Sequence, residues 1–284
     1  MNSKLKEVHP ILLVLILFAI GAFAFMLISG IVASLITIFQ PEIEIENLHL
    51  YADTYPVSYM LFFFLPFQLG FLFVPGAYYY YFLRDRKGKV KFNWKNISWA
   101  SLLFIAVFFL LPFLNELNYN VARLFGVFDH LVALNNLNEL KIIQLIGSES
   151  SYEAYLVGIL IIALITAISE ELLFRGFLMN LIIKHTKRVD VSILVSAILF
   201  AFLHFNYLQL IPLIVFGLAL GSMYHITGSL IPSIIFHAAN NGINLYWVRT
   251  EIEVSWMNEI RWEITIPSIF LLMGLIYLKR KKLY

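Results

Sequence analysis

The sequence predicts an all-α, polytopic membrane protein with eight transmembrane helices and both termini in the cytoplasm. Three observations support this class: the composition, the lengths of the apolar runs, and the distribution of basic residues. Of the 284 residues, 61% are hydrophobic and 13% are charged, and the mean hydropathy is +0.82. A soluble domain is about half apolar and about a quarter charged. Cysteine is absent, which excludes disulfides, a thiolate nucleophile and a cysteine-ligated metal.

The apolar runs define the predicted spans, because a helix needs about 20 apolar residues to cross a bilayer. In chain order the runs are 10–39, 57–83, 97–114, 154–183, 191–206, 207–225, 229–248 and 264–278. The fifth run is short, and the fourth contains charged residues. The first run is too long for the apolar region of a signal peptide and lacks a small-residue cleavage site, so we interpret it as an anchor.

The charged residues of the flanks predict the orientation. When the flanks are numbered alternately from the N-terminus, the basic clusters at 84–95, 184–188 and 279–282 all fall in the odd set. Acidic residues crowd the first even loop, at 42–53. Cytoplasmic loops carry the excess of Lys and Arg, so we expect a cytoplasmic N-terminus and a cytoplasmic C-terminus. An odd number of spans would break this separation.

The connection between the third and fourth spans, residues 115–153, is the longest and is half apolar. We expect amphipathic helices there, lying in the membrane interface. No repeat or separate soluble domain is evident, so residues 1–284 are predicted to form one membrane-embedded domain. Gly217 and Gly221 form a GxxxG pattern in the sixth span, which favours close helix packing.

The stretch ISEELLFRGF, residues 168–177, places three charged residues inside an apolar span. An ionised side chain at mid-membrane costs about 2.5–3.5 kcal/mol, so such residues usually face a partner or a cavity. Glu171 and Arg175 are four residues apart and share a helix face, which predicts an ion pair. A purely structural pair explains these two residues equally well. Glu170 points about 100° away and needs another partner or a function of its own.

Candidate partners for Glu170 occur in later spans. LFAFLHF places His204 near the end of the fifth span, and IIFHAANNGIN places His237 and Asn241 on one face of the seventh. A lone histidine in an apolar helix is more often a packing residue than a catalyst. Helix rise puts Glu170, His204 and Asn241 at similar depths, about 18–20 Å from the cytoplasmic ends of their spans, and His237 nearer, at about 12 Å. We therefore predict a polar cluster near the midplane.

These residue types suit hydrolysis of an amide. A carboxylate and an imidazole can together deprotonate a water molecule, and a His with an Asn can donate hydrogen bonds to the resulting oxyanion. A covalent route is a poor alternative, since Cys is absent and neither Ser169 nor Ser222 lies in a recognisable nucleophile motif.

Three ordered motifs carry a family resemblance. Residues 170–175 match EExxxR, residues 200–204 match FxxxH, and residues 237–241 match HxxxN. Together they resemble the CPBP family, the CAAX-protease and bacteriocin-processing (Abi) intramembrane proteases. The resemblance covers residues 154–248, which would form the catalytic helices, and it implies an eight-helix fold with a polar cavity at mid-membrane.

The resemblance also implies residue roles. Glu170 and His204 would activate water, and His237 and Asn241 would form the oxyanion hole. The remaining charged residues of the first motif would support these four: Glu171 and Arg175. Phe200 would be a packing residue of its motif.

The cofactor, partners and location follow as further expectations. A catalytic zinc needs three protein ligands and a water, and Glu170, His204 and His237 would be the ligands. No HExxH helix is present, and Asn241 is a poor zinc ligand, so we expect a metal-free site, with zinc as the alternative.

We expect a peptide or protein substrate, prenylated if the chain acts like CAAX-processing relatives, together with contact with the lipid bilayer and no nucleic acid. The expected location is a prokaryotic plasma membrane, as a multi-pass integral protein.

Two other classes of protein remain open from the sequence. An ion-coupled transporter would also place ionisable residues at the midplane, usually beside broken helices in two related halves. A non-catalytic bacteriocin-immunity or scaffold protein would tolerate replacement of Glu170 or His204. A test of peptide cleavage separates both from a protease.

Overall fold

The computed structural model describes residues 8–84, 94–147, 149–251 and 260–280, and all the regular elements in these residues are helical. This confirms the predicted all-α class. The helices are α1 (Pro10–Phe39), α2 (Pro56–Leu83), α3 (Trp94–Leu124), α4 (Phe128–Ile146), α5 (Tyr152–Thr186), α6 (Val189–Phe202), α7 (Leu210–Thr227), α8 (Leu230–Thr250) and α9 (Trp262–Arg280). Two short 3₁₀ helices, Ile45–Leu50 and Tyr207–Gln209, complete the described elements.

Five helices in the described ranges are long and apolar enough to cross a membrane: α1, α2, α3, α5, and α7 with the turn before it (Tyr207–Thr227). Two further apolar helices, Val189–Phe202 and Trp262–Leu275, are shorter. The chain is therefore a multi-pass integral membrane protein. Each of the eight predicted spans overlaps a helix, but the count of eight and the orientation stay predictions. Much of two basic clusters used for the orientation, at 85–93 and 281–284, lies outside the described residues.

Two predicted boundaries were wrong. The fifth span was expected over 191–206, whereas α6 ends at Phe202. Its 14 residues extend about 21 Å, less than the hydrocarbon thickness of about 30 Å. The backbone leaves the helix because Phe205 adopts a left-handed φ of 52°. The third span was expected to end at 114, but α3 continues to Leu124. The connection after it contains α4, in agreement with the expected helix.

The chain divides into two compact units. The first comprises Met1–Lys87, Asn138–Ser192 and His237–Ile252, and the second comprises Gly88–Leu137, Ile193–Phe236 and Glu253–Tyr284. The prediction of a single membrane-embedded domain over 1–284 is not tested by this division and stays a prediction.

In the second unit, α3 packs against α7 and α9. The buried Asn118 of α3 holds the turn that leads into α7: its Nδ2 donates to the Leu208 carbonyl at 2.8 Å, and its Oδ1 accepts from the Ile211 N–H at 2.9 Å. The predicted close packing of the GxxxG pattern is confirmed. A Cβ added at Gly217 would lie 3.0 Å from the Cα of Ala197 on α6.

In the first unit, α2 packs between α1 and α5 through glycines. A Cβ added at Gly70 would lie 2.4 Å from the Cα of Phe25 on α1. A Cβ added at Gly76 would lie 2.6 Å from the carbonyl carbon of Leu172 on α5. Such distances are too short for any side chain, so glycine permits backbone contact here. The contact at Leu172 matters because it lies directly beside the charged residues of α5.

We expect Gly76→Ala to lower the free energy of unfolding in detergent by about 1–3 kcal/mol, because the added methyl group forces α2 away from α5. The matched control is Gly274→Ala on α9, where a Cβ would meet no atom within 4 Å. That exchange should be neutral or stabilise the helix by up to about 1 kcal/mol. Thermal unfolding of the two purified variants measures both changes. Equal stability of Gly76→Ala and Gly274→Ala would contradict the close contact between α2 and α5.

Candidate functional site

The charged residues of the first motif lie on α5 where its hydrogen-bonding pattern changes. The segment Thr166–Glu171 is α-helical, and Leu172–Met179 has the wider π-helical pattern. Wider turns of this kind occur frequently at functional sites. Asn180 supports the wide turn, since its Nδ2 donates to the carbonyls of Arg175 at 2.7 Å and Gly176 at 3.0 Å. We did not predict this role for Asn180 from the sequence; its position five residues after Arg175 was the available signal.

Glu171 and Arg175 form the ion pair that their spacing predicted. The Arg175 Nη1 donates to the Glu171 Oε1 at 2.7 Å, and both side chains are 0% exposed. Each charge would be costly to bury alone, whereas the pair with its hydrogen bond offsets most of that cost. The pair thus explains how two of the three charges remain inside the protein.

His237 on α8 connects the two glutamates. Its Nδ1 lies 3.0 Å from the Glu171 Oε1, and its Nε2 lies 3.7 Å from the Glu170 Oε2. A carboxylate can only accept a hydrogen bond, so we place a proton on Nδ1, donated to Glu171. The predicted need of Glu170 for a separate partner is met by the other ring nitrogen, at ion-pair distance.

Asn241 lies one turn further along α8. Its Nδ2 lies 3.4 Å from the carbonyl of Ile162, which belongs to a second π-helical segment of α5, Ile159–Ile165. This distance makes a weak hydrogen bond that a better acceptor can replace. The neighbouring Asn244 makes only a local contact, donating to the Asn240 carbonyl at 2.9 Å on the exposed side.

His204 belongs to the second unit and lies in the turn that follows α6, two residues beyond the helix end. Its Nδ1 lies 2.7 Å from the Phe200 carbonyl, so this nitrogen carries the proton. The Phe200 ring is fully buried and lies 4.4 Å from the imidazole, centroid to centroid, as expected for a packing residue. The predicted convergence of His204 with Glu170 stays a prediction.

Within the first unit, the structure therefore brings together four predicted residues: Glu170, Glu171, Arg175 and His237. A zinc site needs a third ligand besides Glu170 and His237. In the described parts of the chain, no three His, Cys, Asp or Glu side chains are arranged to hold a metal ion. The metal-free site and the zinc alternative both stay predictions, and the chemistry proposed here uses no metal.

Comparison with known families identifies the region that carries this cluster. Residues 152–243 match the family model described as type II CAAX prenyl endopeptidase Rce1-like. Residues 152–243, here called the CPBP segment, thus match a model of the family that the three motifs resemble. The CPBP segment contains all three sequence motifs, from EExxxR on α5 to HxxxN on α8. Comparison with curated proteins gave no match, and comparison with solved structures gave none. The match supports a protease-like function, and the long apolar helices support a membrane location.

The buried ion pair of the CPBP segment yields a stability prediction. We expect Arg175→Ala to lower the free energy of unfolding by about 3–5 kcal/mol, because the carboxylate of Glu171 would remain buried without its strongest partner. Thermal unfolding in detergent measures the change.

The matched control is Arg188→Ala. The Arg188 Nη2 lies 2.6 Å from the Asp190 Oδ2, but both side chains are well exposed, so solvent screens this pair. We therefore expect no measurable change in the free energy of unfolding. Similar losses in the two variants would contradict the assigned role of burial.

Proposed function

We propose that the protein is an intramembrane endopeptidase that hydrolyses a peptide bond with a water molecule activated by glutamate and histidine. The observation that carries this proposal is the buried cluster of Glu170, Glu171, Arg175 and His237 inside the CPBP segment. An ion pair alone would serve packing. A further carboxylate and an imidazole beside that pair supply acid–base groups.

The proposed oxyanion role requires protons on both ring nitrogens of His237. Arg175 neutralises Glu171, which leaves the carboxylate of Glu170 as an additional negative charge. An imidazolium at His237 balances it. Since Nδ1–H is directed to Glu171, the second proton lies on Nε2 and is available as a donor. We propose that this N–H and the side-chain amide N–H of Asn241 donate hydrogen bonds to the oxyanion that forms when water attacks a carbonyl.

Glu170 is the accessible acid of the cluster. Its side chain is 11% exposed, compared with 0% for Glu171 and Arg175. In the proposed reaction the oxygen of water bonds to the peptide carbonyl carbon, and Glu170 accepts the proton. The C–N bond then breaks, and the leaving amine receives that proton. We propose that His204 helps Glu170 to activate the water molecule. Its Nδ1 donates to the Phe200 carbonyl, so its Nε2 carries a lone pair that can accept a hydrogen bond from water.

The proposed substrate is a peptide or protein that reaches the site from the membrane, with a prenylated CAAX sequence as the narrower assignment. No nucleic-acid partner is proposed. The proposed location is a prokaryotic plasma membrane, in which the chain would have eight spans and a polar cavity at mid-membrane.

Cleavage of a fluorescent peptide ending in a farnesylated CAAX sequence tests the chemistry. We expect Glu170→Gln in purified protein, reconstituted in liposomes, to lower kcat by roughly 10²- to 10⁴-fold, since the amide cannot accept the proton of water. The matched control, Glu153→Gln, changes an exposed acid in the first turn of the same helix and should cleave like the unaltered protein. Equal turnover by Glu170→Gln would remove the proposed base. A folded, inserted protein that cleaves neither prenylated nor unmodified peptides would favour a non-catalytic role.

Chelation tests the metal-free assignment. We expect activity to persist after exhaustive dialysis against EDTA and 1,10-phenanthroline, because the proposed water activation uses only protein groups. The cleavage assay above provides the readout. Loss of activity that added zinc restores would overturn this assignment in favour of the zinc alternative.

A further inference from the structure

A buried amide in α2 has no function in the proposed chemistry. Gln68 is 7% exposed, and its Oε1 has no hydrogen-bond partner among the described residues. A buried carbonyl oxygen without a donor is destabilising, and more so in a membrane, where water cannot replace the partner. Polar residues inside a span are therefore usually functional. Gln68 thus needs a donor that the described residues do not supply.

The surroundings of Gln68 connect it with the cluster on α5. Its segment, Phe67–Phe73, packs directly on Thr166–Glu171, the segment that carries Glu170. Ser169 of the latter is 0% exposed, and its hydroxyl also has no partner in the described part of the chain. Two packed segments thus each contain a buried polar atom without a partner among the described residues.

The contacts between α2 and α5 define the position of Gln68 along the axes of these two helices, which we call its height. Gly76 meets Leu172, and Tyr80 meets Gly176, so α2 and α5 run parallel with matching steps. Two turns before Gly76, Gln68 is level with about residues 162–166 of α5. Asn241 reaches the carbonyl of Ile162 at this same height.

The face of α2 that carries Gln68 is also defined. Gly70, two residues later, meets the backbone of α1 at Phe25. In this π-helical segment two residues correspond to roughly half a turn, so Gln68 lies on the opposite side of α2 from Gly70 and its contact with α1. It is thus part of the interior of the first unit and not of the α1 contact.

We infer that Gln68 is a substrate-contact residue whose amide oxygen accepts a hydrogen bond from a main-chain N–H of the bound peptide. This inference rests on the proposed function. A peptide backbone supplies N–H donors on the same chain as the carbonyl that Asn241 would bind. One peptide can therefore engage both amides, which lie on different helices at the same height.

Gln68→Met tests the inference, because it keeps the length and removes the acceptor. With the farnesylated CAAX peptide, we expect KM to rise roughly tenfold, the effect of one lost hydrogen bond, with kcat within about twofold of the unaltered protein. The melting temperature should stay the same or rise, since the variant no longer buries an acceptor without a donor. Gln144→Met, at an exposed position of α4, is the control and should change neither value.

A binding measurement separates this inference from the proposed function. Anisotropy of the same labelled peptide is measured on Glu170→Gln protein, with and without Gln68→Met. A tenfold weaker affinity in the double variant supports the inference even if cleavage proves not to depend on Glu170. Unchanged KM and affinity in the Gln68→Met variant would overturn the inference and leave the protease proposal intact. A lowered melting temperature with unchanged KM would assign Gln68 a structural role and also overturn it.

Discussion

The carboxylate of Glu171 is the centre on which the arrangement of the site depends. It is fully buried and receives hydrogen bonds on one oxygen from two sides, from Arg175 on its own helix and from His237 on α8. An ionised group at this depth must be neutralised, so these contacts cannot loosen without a large cost. The same interaction that keeps the charge inside therefore holds α8 against α5 and orients the His237 ring towards Glu170.

Backbone contacts through small residues complete this constraint. Gly76 brings α2 to van der Waals distance of α5 at Leu172, immediately after the two glutamates. At the other end of the helix pair, Arg249 of α8 donates to the Ser150 carbonyl at 2.7 Å, just before α5 begins. The segment of α5 that carries the two glutamates is thus contacted by α2 at Leu172 and by His237 of α8, while Glu170 retains a small accessible surface. Rigid support around one accessible acid is what preorganised acid–base chemistry requires.

Prediction from the sequence succeeded where a local rule applies. The spacing of four residues between Glu171 and Arg175 is sufficient to place them on one face, and a long apolar run is sufficient to indicate a helix. It was wrong at the end of α6, because a single left-handed residue, Phe205, ends a helix that composition would continue. It missed Asn180 and Gln68, because an isolated amide in an apolar run has no pattern that reveals its partner or the lack of one.

The sequence by itself determined the helical membrane class, the ordered motifs and the candidate residues, since hydropathy and short spacings are properties of local chain geometry. Only the tertiary structure decided that Glu171, and not Glu170, is the glutamate engaged by both Arg175 and the Nδ1 of His237. Adjacent residues of one helix point in different directions, and which direction meets α8 depends on how the two helices pack. That packing is set by contacts between residues far apart in the chain, which no local pattern encodes.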